Sequence, residues 1–237
     1  MLTYNDEQAR AYTEVIIKKQ NSGLLQGWVT SQDMQTHCRK VLDRYWDSKA
    51  GPKVILDVGC GTGEMLFQAG EHWPDAKLYG VNYFPSQVGI SRLTELVDGV
   101  YTGDFEFDTK LMDDIVSGSE KADFIMFNYT LGHFMSLDNV FKRAAKLLAD
   151  DGVLGIYDIS RKSVVKGEVL GYKLWSRRQI MGALIRAGFQ ATSYGAPKAE
   201  IANAMKADAE HDTVEDVKAY QDFATWTEPV LFVARRE

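Results

Sequence analysis

"VILDVGCGTGEM", residues 54–65, is the stretch that decides the fold of this chain. Four apolar residues are interrupted by one acid, Asp57, and glycines follow at Gly59, Gly61 and Gly63. A short apolar run of this kind is typical of a buried parallel strand. Glycines directly after a strand allow a tight turn and the close approach of a ligand to the main chain. The stretch therefore predicts a first strand that opens into a ligand-binding turn.

Strand-like and helix-like segments alternate through the rest of the chain. Short apolar runs predict seven strands, at residues 53–58, 77–82, 99–104, 123–128, 153–158, 190–195 and 229–236. The clearest helical patterns cover 136–152 and 176–189, with serines at their starts and Gly152 and Gly188 at their ends. Such alternation predicts a parallel sheet covered by helices on both faces.

Composition limits the class of protein. The chain has 237 residues and is 45% hydrophobic and 25% charged, which suits one large α/β domain. Its net charge of −6 argues against a nucleic-acid partner, and no apolar run approaches the ~20 residues of a membrane helix. Cys38 and Cys60 indicate no disulfide framework, and the polar start lacks the apolar core of a signal peptide. We therefore expect a cytoplasmic protein.

The glycine spacing distinguishes two kinds of ligand. A dinucleotide fingerprint, G-x-G-x-x-G, would place its third glycine at position 64, where this chain has Glu64. A glutamate there is a poor neighbour for a pyrophosphate. A cationic ligand with an amino-acid portion fits better, because Asp57 would face its ammonium group.

The segment from Asp57 to Gly63 resembles motif I of class I S-adenosylmethionine-dependent methyltransferases of the small-molecule type. The resemblance covers about residues 25–195 and 229–236, and it includes Ala187-Gly188-Phe189 after the second clear helix. It implies a Rossmann-like, seven-stranded, mostly parallel sheet with an antiparallel last strand. It also implies S-adenosylmethionine as the cofactor, and no metal site is predicted.

The family pattern also implies where the cofactor is held. Asn82 stands where the family usually has a ribose-binding acid, although it could instead be a turn residue at a strand end. Asp104 would meet the adenine amino group, and Phe105 would lie beside the adenine ring. The predicted cofactor-binding residues are Asp57, Gly59, Cys60, Gly61, Gly63, Asn82, Tyr83, Asp104, Phe105 and Asn128.

Catalysis is assigned to the stretch "NYTLGHF", residues 128–134, after the fourth strand. His133 and Tyr129 are the predicted catalytic residues, His133 as a proton acceptor. The loop is somewhat similar to that of sterol and geranyl diphosphate C-methyltransferases. Sterol-type enzymes, however, carry a glutamate four residues before their histidine, where this chain has Tyr129. Hydrogen bonding of His133 to the loop backbone is the alternative.

Arg161 and Lys162 are predicted to bind the substrate, as a clamp for a carboxylate or a diphosphate, and Trp28 would form another wall of that pocket. A solvated charged surface is the alternative for the two basic residues. The predicted function is methyl transfer to a small-molecule acceptor. A macromolecular acceptor, or a catalytically silent cofactor-binding partner protein, remains the alternative.

A single domain is predicted, in four parts. Residues 1–50 form an N-terminal helical cap, 51–195 the cofactor-binding core, 196–228 a lid-like insertion and 229–237 the last strand. The insertion is far longer than the ~2–5 residues of a hairpin loop. A role as a subunit contact in a homodimer is the alternative to a lid.

Overall fold

The structure is a computed structural model that describes residues 40–46, 51–61, 63–85, 97–162, 168–169, 172–195 and 227–236. The strands are β1 Val54–Val58, β2 Lys77–Asn82, β3 Gly99–Thr102, β4 Ala122–Asn128, β5 Leu148–Arg161, β6 Glu168–Val169, β7 Tyr172–Lys173, β8 Phe189–Gly195 and β9 Thr227–Arg236. The helices are α1 Glu64–His72, α2 Thr109–Gly118, α3 Leu137–Leu147 and α4 Arg177–Arg186, with a 3-10 turn at Leu131–His133. Most of the predicted cap, including Trp28, and nearly all of the predicted insertion lie outside the described residues.

Seven strands form one sheet in the order β3-β2-β1-β4-β5-β9-β8. The first five strands in this order, β3, β2, β1, β4 and β5, are all parallel to their neighbours. Strand β9 runs antiparallel to both β5 and β8. The predicted mostly parallel sheet with an antiparallel last strand is confirmed. Strand order reverses between β1 and β4, and ligands of such sheets bind outside the carboxyl ends of the strands at that point.

Alternating side chains of the strands build a core on each face of the sheet. Val54, Leu56 and Phe127 belong to the core that α3 and α4 cover. Ile55 and Met126 belong to the core on the other face, which α1 and residues 41–42 cover. Burial on both faces explains why these strands are continuous apolar runs.

The two best-predicted helices begin as expected, but one ends early. The Ser136 hydroxyl accepts the backbone N–H of Asn139 at the start of α3, and Ser176 forms a capping box with Gln179 at the start of α4. The prediction that the first of these helices ends at Gly152 is wrong. Leu148 already has an extended conformation, because it pairs with Ala122 at the beginning of β5.

Between β5 and α4 the chain forms a small antiparallel hairpin, β6–β7, that the sequence patterns did not predict. Trp175, just after β7, forms a bridge to Ser160 near the end of β5. The hairpin therefore lies beside the carboxyl ends of β4 and β5. In the described part of the chain no helix is both long enough and apolar enough to cross a membrane.

Candidate active site

The turn after β1 is shaped by its main chain. Gly59, Gly61 and Gly63 have φ angles of 84°, 52° and 84°, in the left-handed region that favours glycine. The N–H groups of Gly59 and Cys60 both donate to the Val81 carbonyl, at 2.8 and 3.0 Å. These two bonds fix the turn against β2.

Two of these glycines face different surroundings. A Cβ atom on Gly59 would overlap the hydroxyl of Thr130, so here the turn touches the loop after β4. A Cβ atom on Gly61 would meet no atom of the described residues within 4 Å. The main chain at Gly61 therefore borders open space, as a cradle for a ligand requires.

Asp57 is a buried acid at the carboxyl end of β1. It is 1% exposed, and the Asn128 side-chain amide donates to its Oδ1 at 3.4 Å. Burial raises the pKa of this carboxyl to about 7, with the Asn128 bond acting in the opposite direction. Burial and the nearby Asp57 also raise the pKa of the Cys60 thiol, which keeps it protonated. A cationic group beside Asp57 would stabilise the carboxylate form.

Asn82 and Tyr83 follow at the carboxyl end of β2. Asn82 is buried, and its side-chain amide donates to the Phe84 carbonyl at 3.1 Å. This bond gives Asn82 a role in the turn itself, as the alternative interpretation of the sequence expected. Tyr83 is 47% exposed, with its ring edge-on to that of Phe84.

The turn after β3 holds Asp104 and Phe105. Asp104 Oδ1 accepts the backbone N–H groups of Glu106 and Phe107, at 2.8 and 3.2 Å. Phe105 is only 3% exposed and packs edge-on against Phe127 in the core. This placement favours a structural role for Phe105, whereas the neighbouring Phe107 is 52% exposed.

Tyr129 has the only positive φ among the non-glycine residues described, at 49°. Its N–H donates to the Tyr157 carbonyl at 2.9 Å, and the two rings meet edge-on with centroids 5.0 Å apart. A bulky residue in this conformation costs on the order of 1–3 kcal/mol and is kept where the surroundings enforce it. The strain supports a functional role for this position.

Two buried carboxylates that sequence reasoning missed hold the loop that follows. Asp158, 1% exposed in β5, accepts the Leu131 N–H at 2.9 Å. Glu106, 3% exposed, accepts the N–H groups of Met135 and Ser136 at 2.7 and 2.6 Å. Their partners lie 27–30 positions away in the chain, so no local pattern could have identified the pairs.

Two side chains in and just after the β6–β7 hairpin donate hydrogen bonds to backbone carbonyls of the same loop. The Trp175 indole N–H donates to the Leu131 carbonyl at 2.9 Å, and the Lys173 ammonium donates to the Met135 carbonyl at 3.3 Å. That ammonium also lies 3.7 Å from the centre of the Trp175 ring. Residues 131–136 are therefore held by side chains from three other parts of the fold.

His133 lies within this held loop. Its backbone N–H donates to the Thr130 carbonyl at 3.0 Å, and the residue is exposed to solvent. The surrounding protein nevertheless desolvates the imidazole and lowers its pKa. His133 is therefore neutral at pH 7, the form that accepts a proton.

Arg161 and Lys162 lie at and just after the end of β5. The Arg161 guanidinium donates to Gln179 Oε1 at 3.0 Å, at the start of α4, and Arg177 pairs with Glu228 at 2.8 Å. Lys162 is exposed. Arg161 is thus directed to a protein partner, and an anion at this rim would compete with Gln179 for it.

The chain matches a family model and part of a curated protein. The family model, described as "Methyltransferase domain", matches residues 31–209. The malonyl-[acyl-carrier protein] O-methyltransferase of Acetivibrio thermocellus is 29% identical over 100 residues, which are 42% of this chain and 33% of that protein. The matched stretch thus spans about a third of that relative.

Solved structures share the fold. Geranyl diphosphate C-methyltransferase from Streptomyces coelicolor aligns with a TM-score of 0.65 and 14% identity, over 86% of this chain and 79% of that one. The [4+2]-cyclase SpnF aligns with a TM-score of 0.62 and 18% identity, over 85% of this chain and 81% of that one. The same fold is therefore found in proteins whose names describe different reactions.

Proposed function

Because this chain belongs to the family described as a methyltransferase domain, we propose that it transfers a methyl group from S-adenosylmethionine to a small-molecule acceptor. One observation carries the proposal. The open main chain at Gly61, the buried carboxyl of Asp57 and the held loop at 131–136 meet at one edge of the sheet. That edge is where the fold binds its ligands.

The residues at this edge fit the cofactor. S-adenosylmethionine supplies an electrophilic methyl group on a sulfonium centre. Asp57 would ionise beside the cofactor's ammonium group, and the main chain from Gly59 to Gly63 would border its amino-acid and ribose portions. Tyr83, exposed after β2, and Asp104, in the turn after β3, would border the nucleoside. Asn128 would hold Asp57 in place through its bond to Oδ1.

The loop after β4 would act on the acceptor. Neutral His133 would take the proton that the attacking atom of the acceptor loses. The ring of Tyr129 would orient the acceptor and exclude water. The names of two similar proteins refer to malonyl and diphosphate compounds, and an anionic acceptor here would contact Arg161 or Lys162 at the rim.

Residues 196–226 are proposed to cover this site; the predicted insertion extended to 228, but Thr227 and Glu228 already pair with β5 as the start of β9. β8 ends at Gly195 and β9 begins at Thr227, and Gly195 pairs with Val230 in the antiparallel register. Both ends of the connection therefore lie at the carboxyl edge of the sheet. Replacing 198–226 with a short glycine-rich turn should leave cofactor binding largely intact and abolish turnover. Full activity after the replacement would leave the segment as edge cover or a subunit contact.

Calorimetry with S-adenosylhomocysteine tests the cofactor site. The wild type should bind, and Gly61→Val should not, because its side chain would fill the open space beside the turn. Equal binding by the two proteins would contradict the proposed site.

Methyl-labelled S-adenosylmethionine then tests the acceptor class. The protein should label a component of a metabolite extract, and His133→Ala should label it far less. Label appearing only in a protein or RNA fraction would indicate a macromolecular acceptor. Cofactor binding without any label would indicate a silent cofactor-binding protein or another reaction of this fold.

A further inference from the structure

Leu131 and Met135 lie two residues before and two residues after His133, and the backbone of each is held by side chains from elsewhere in the fold. The N–H of Leu131 donates to Asp158 Oδ2 at 2.9 Å. The N–H of Met135 donates to Glu106 Oε2 at 2.7 Å. Both residues that flank the histidine are thus anchored through their N–H groups by a buried carboxylate.

The β6–β7 hairpin and the segment after it anchor the carbonyls of the same two residues. Trp175 Nε1 donates to the Leu131 carbonyl at 2.9 Å. Lys173 Nζ donates to the Met135 carbonyl at 3.3 Å. The two donors also contact each other, because the Lys173 ammonium lies 3.7 Å from the centre of the Trp175 ring. A cation over an indole ring is attracted to it, so each donor helps to fix the other.

This pair of donors is tied to the sheet beside the loop. Leu174, between the two donors, is 2% exposed. Trp175 forms a bridge to Ser160, and its carbonyl accepts the Arg161 N–H at 3.3 Å. Ser160 lies two residues after Asp158 in β5. The same strand therefore supports both a carboxylate and an indole that hold the loop.

The lysine also lies within electrostatic reach of the buried carboxyl of Glu106. Burial raises the pKa of Glu106, whereas its two bonds to backbone N–H groups and the charge of Lys173 lower it. The backbone of Met135 is thus flanked by an acceptor and a donor that attract each other. Hydrogen bonds in which one partner is ionised are stronger than neutral ones. The arrangement favours a single backbone position at Met135.

We infer that Lys173 and Trp175 are positioning residues for His133. Resting on the proposed function, in which His133 takes the proton of the acceptor, these donors set where the imidazole meets the acceptor. A displacement of about 1 Å at a reacting group can cost on the order of 100-fold in rate. The turn after β1 is held instead by its bonds to Val81, so cofactor affinity should not depend on the two donors.

Lys173→Met tests the inference with little disturbance, because it keeps the length of the side chain and removes its charge and its donor. The rate of label transfer from methyl-labelled S-adenosylmethionine to a metabolite extract should fall about tenfold, while the Kd for S-adenosylhomocysteine changes less than about twofold. Lys173→Arg retains a donor and should recover most of the rate. Trp175→Phe removes the indole N–H but keeps a ring, and it should also lower the rate without weakening cofactor binding.

Lys121→Met is the matched control. Lys121 lies just before β4, at the opposite edge of the sheet, and its ammonium is 4.0 Å from Asp150. Both side chains of this pair are exposed, so the pair contributes little. Neither the rate of label transfer nor the Kd for S-adenosylhomocysteine should change in this variant.

The ring signal of His133 reports its position without any turnover. In the full chain labelled with 13C-histidine, this signal is identified by its absence from His133→Ala. Lys173→Met should shift or broaden it and leave the signal of His72, whose ring bonds Asp43 at 2.9 Å, unchanged. Lys173→Arg should restore the wild-type signal, and Lys121→Met should leave both signals in place.

Four outcomes would overturn the inference. They are an unmoved His133 signal in Lys173→Met, a wild-type rate in that variant, equally slow Lys173→Met and Lys173→Arg, and a parallel loss of S-adenosylhomocysteine binding. The last would mean that the lysine supports the site as a whole rather than the histidine. A wild type that transfers no label would contradict the proposed function alone. The His133 signal would still decide whether the two donors position the imidazole.

Discussion

The turn after β1 and the loop after β4 form adjacent parts of one site, but they are held in different ways. They touch where Gly59 meets Thr130 and where Asp57 meets Asn128. The turn depends on left-handed glycines and on main-chain bonds to Val81. The loop depends on side chains that arrive from the β3 turn, β5 and the β6–β7 hairpin.

This difference shows which parts of a site can be recognised from a short stretch of sequence. A turn whose conformation requires glycine has those glycines within the turn itself, so they form a short recognisable motif. A loop fixed by remote carboxylates carries no such motif, because its determinants lie in other elements. The following predictions test that contrast, beginning with the largest effect.

Gly59→Ala should be the most damaging change at the contact between the two regions. The left-handed conformation costs a non-glycine residue roughly 1–2 kcal/mol, and overlap with Thr130 adds roughly 1–3 kcal/mol. We expect the free energy of unfolding, measured with denaturant, to fall by the sum of the two costs and S-adenosylhomocysteine binding to weaken.

Gly188→Ala is the matched control for Gly59→Ala. Its φ of 85° is almost the same, but a Cβ there meets none of the residues that the structure describes within 4 Å. The free energy of unfolding should therefore fall only by the cost of the left-handed conformation. Replacing Thr130 with glycine should recover part of the stability lost in Gly59→Ala. Equal losses for the two glycine variants would show that the contact between turn and loop is unimportant.

Asp158→Ala should damage the loop and spare the turn. It leaves the buried Leu131 N–H without its carboxylate partner, which costs about 1–3 kcal/mol. We expect kcat to fall at least tenfold while the Kd for S-adenosylhomocysteine changes little. Asp138→Ala, which removes an exposed pair with Arg186, is the control and should leave kcat unchanged. A parallel loss of cofactor binding in Asp158→Ala would mean that the two regions are not held independently.

The pH dependence of cofactor binding should come from the turn, through Asp57. Its pKa is raised from 3.8 to about 7 in the folded protein, so its protonated form is favoured there. Its contribution to folding stability is therefore greatest below pH 4 and decreases as the pH rises towards 7. The ammonium group of S-adenosylhomocysteine favours the carboxylate, so affinity should increase from pH 5 to about 7 and then level off.

Asp57→Asn should remove that increase, since the amide does not titrate over this range. Calorimetry at several pH values measures both proteins. A wild-type affinity that is constant from pH 5 to 8 would contradict the proposed contact between Asp57 and the ammonium group.

Arg161→Ala should have the smallest effect on stability, at most about 1 kcal/mol, because it removes one exposed hydrogen bond to Gln179. The informative measurement for this variant is its steady-state kinetics. An increase in KM with unchanged kcat for an acidic acceptor, and no increase for a neutral analogue, would support the proposed anion clamp. Unchanged kinetics with both acceptors would leave Arg161 as a residue that secures the start of α4.

The sequence predicted the sheet well, because burial on both faces imposes continuous apolar runs. It also placed Asp57 near the end of the first strand and the glycines in the turn that follows, where the structure has them. It failed at the end of α3, where pairing of Leu148 with Ala122 outweighs the helical pattern. Glu106 and Asp158 were missed because each looks like one more acid in an apolar stretch, and only the fold shows which N–H groups it accepts.

The position of β9 between β5 and β8 has a consequence for synthesis. When the nascent chain has emerged from the ribosome only as far as β8, one edge of β5 is still unpaired and β8 has no neighbouring strand. Open edges of this kind are templates for pairing with other chains. The nascent protein is thus most prone to aggregation in the interval before residues 227–236 emerge, and mutations in that short segment should affect yield more strongly than mutations in the β6–β7 hairpin.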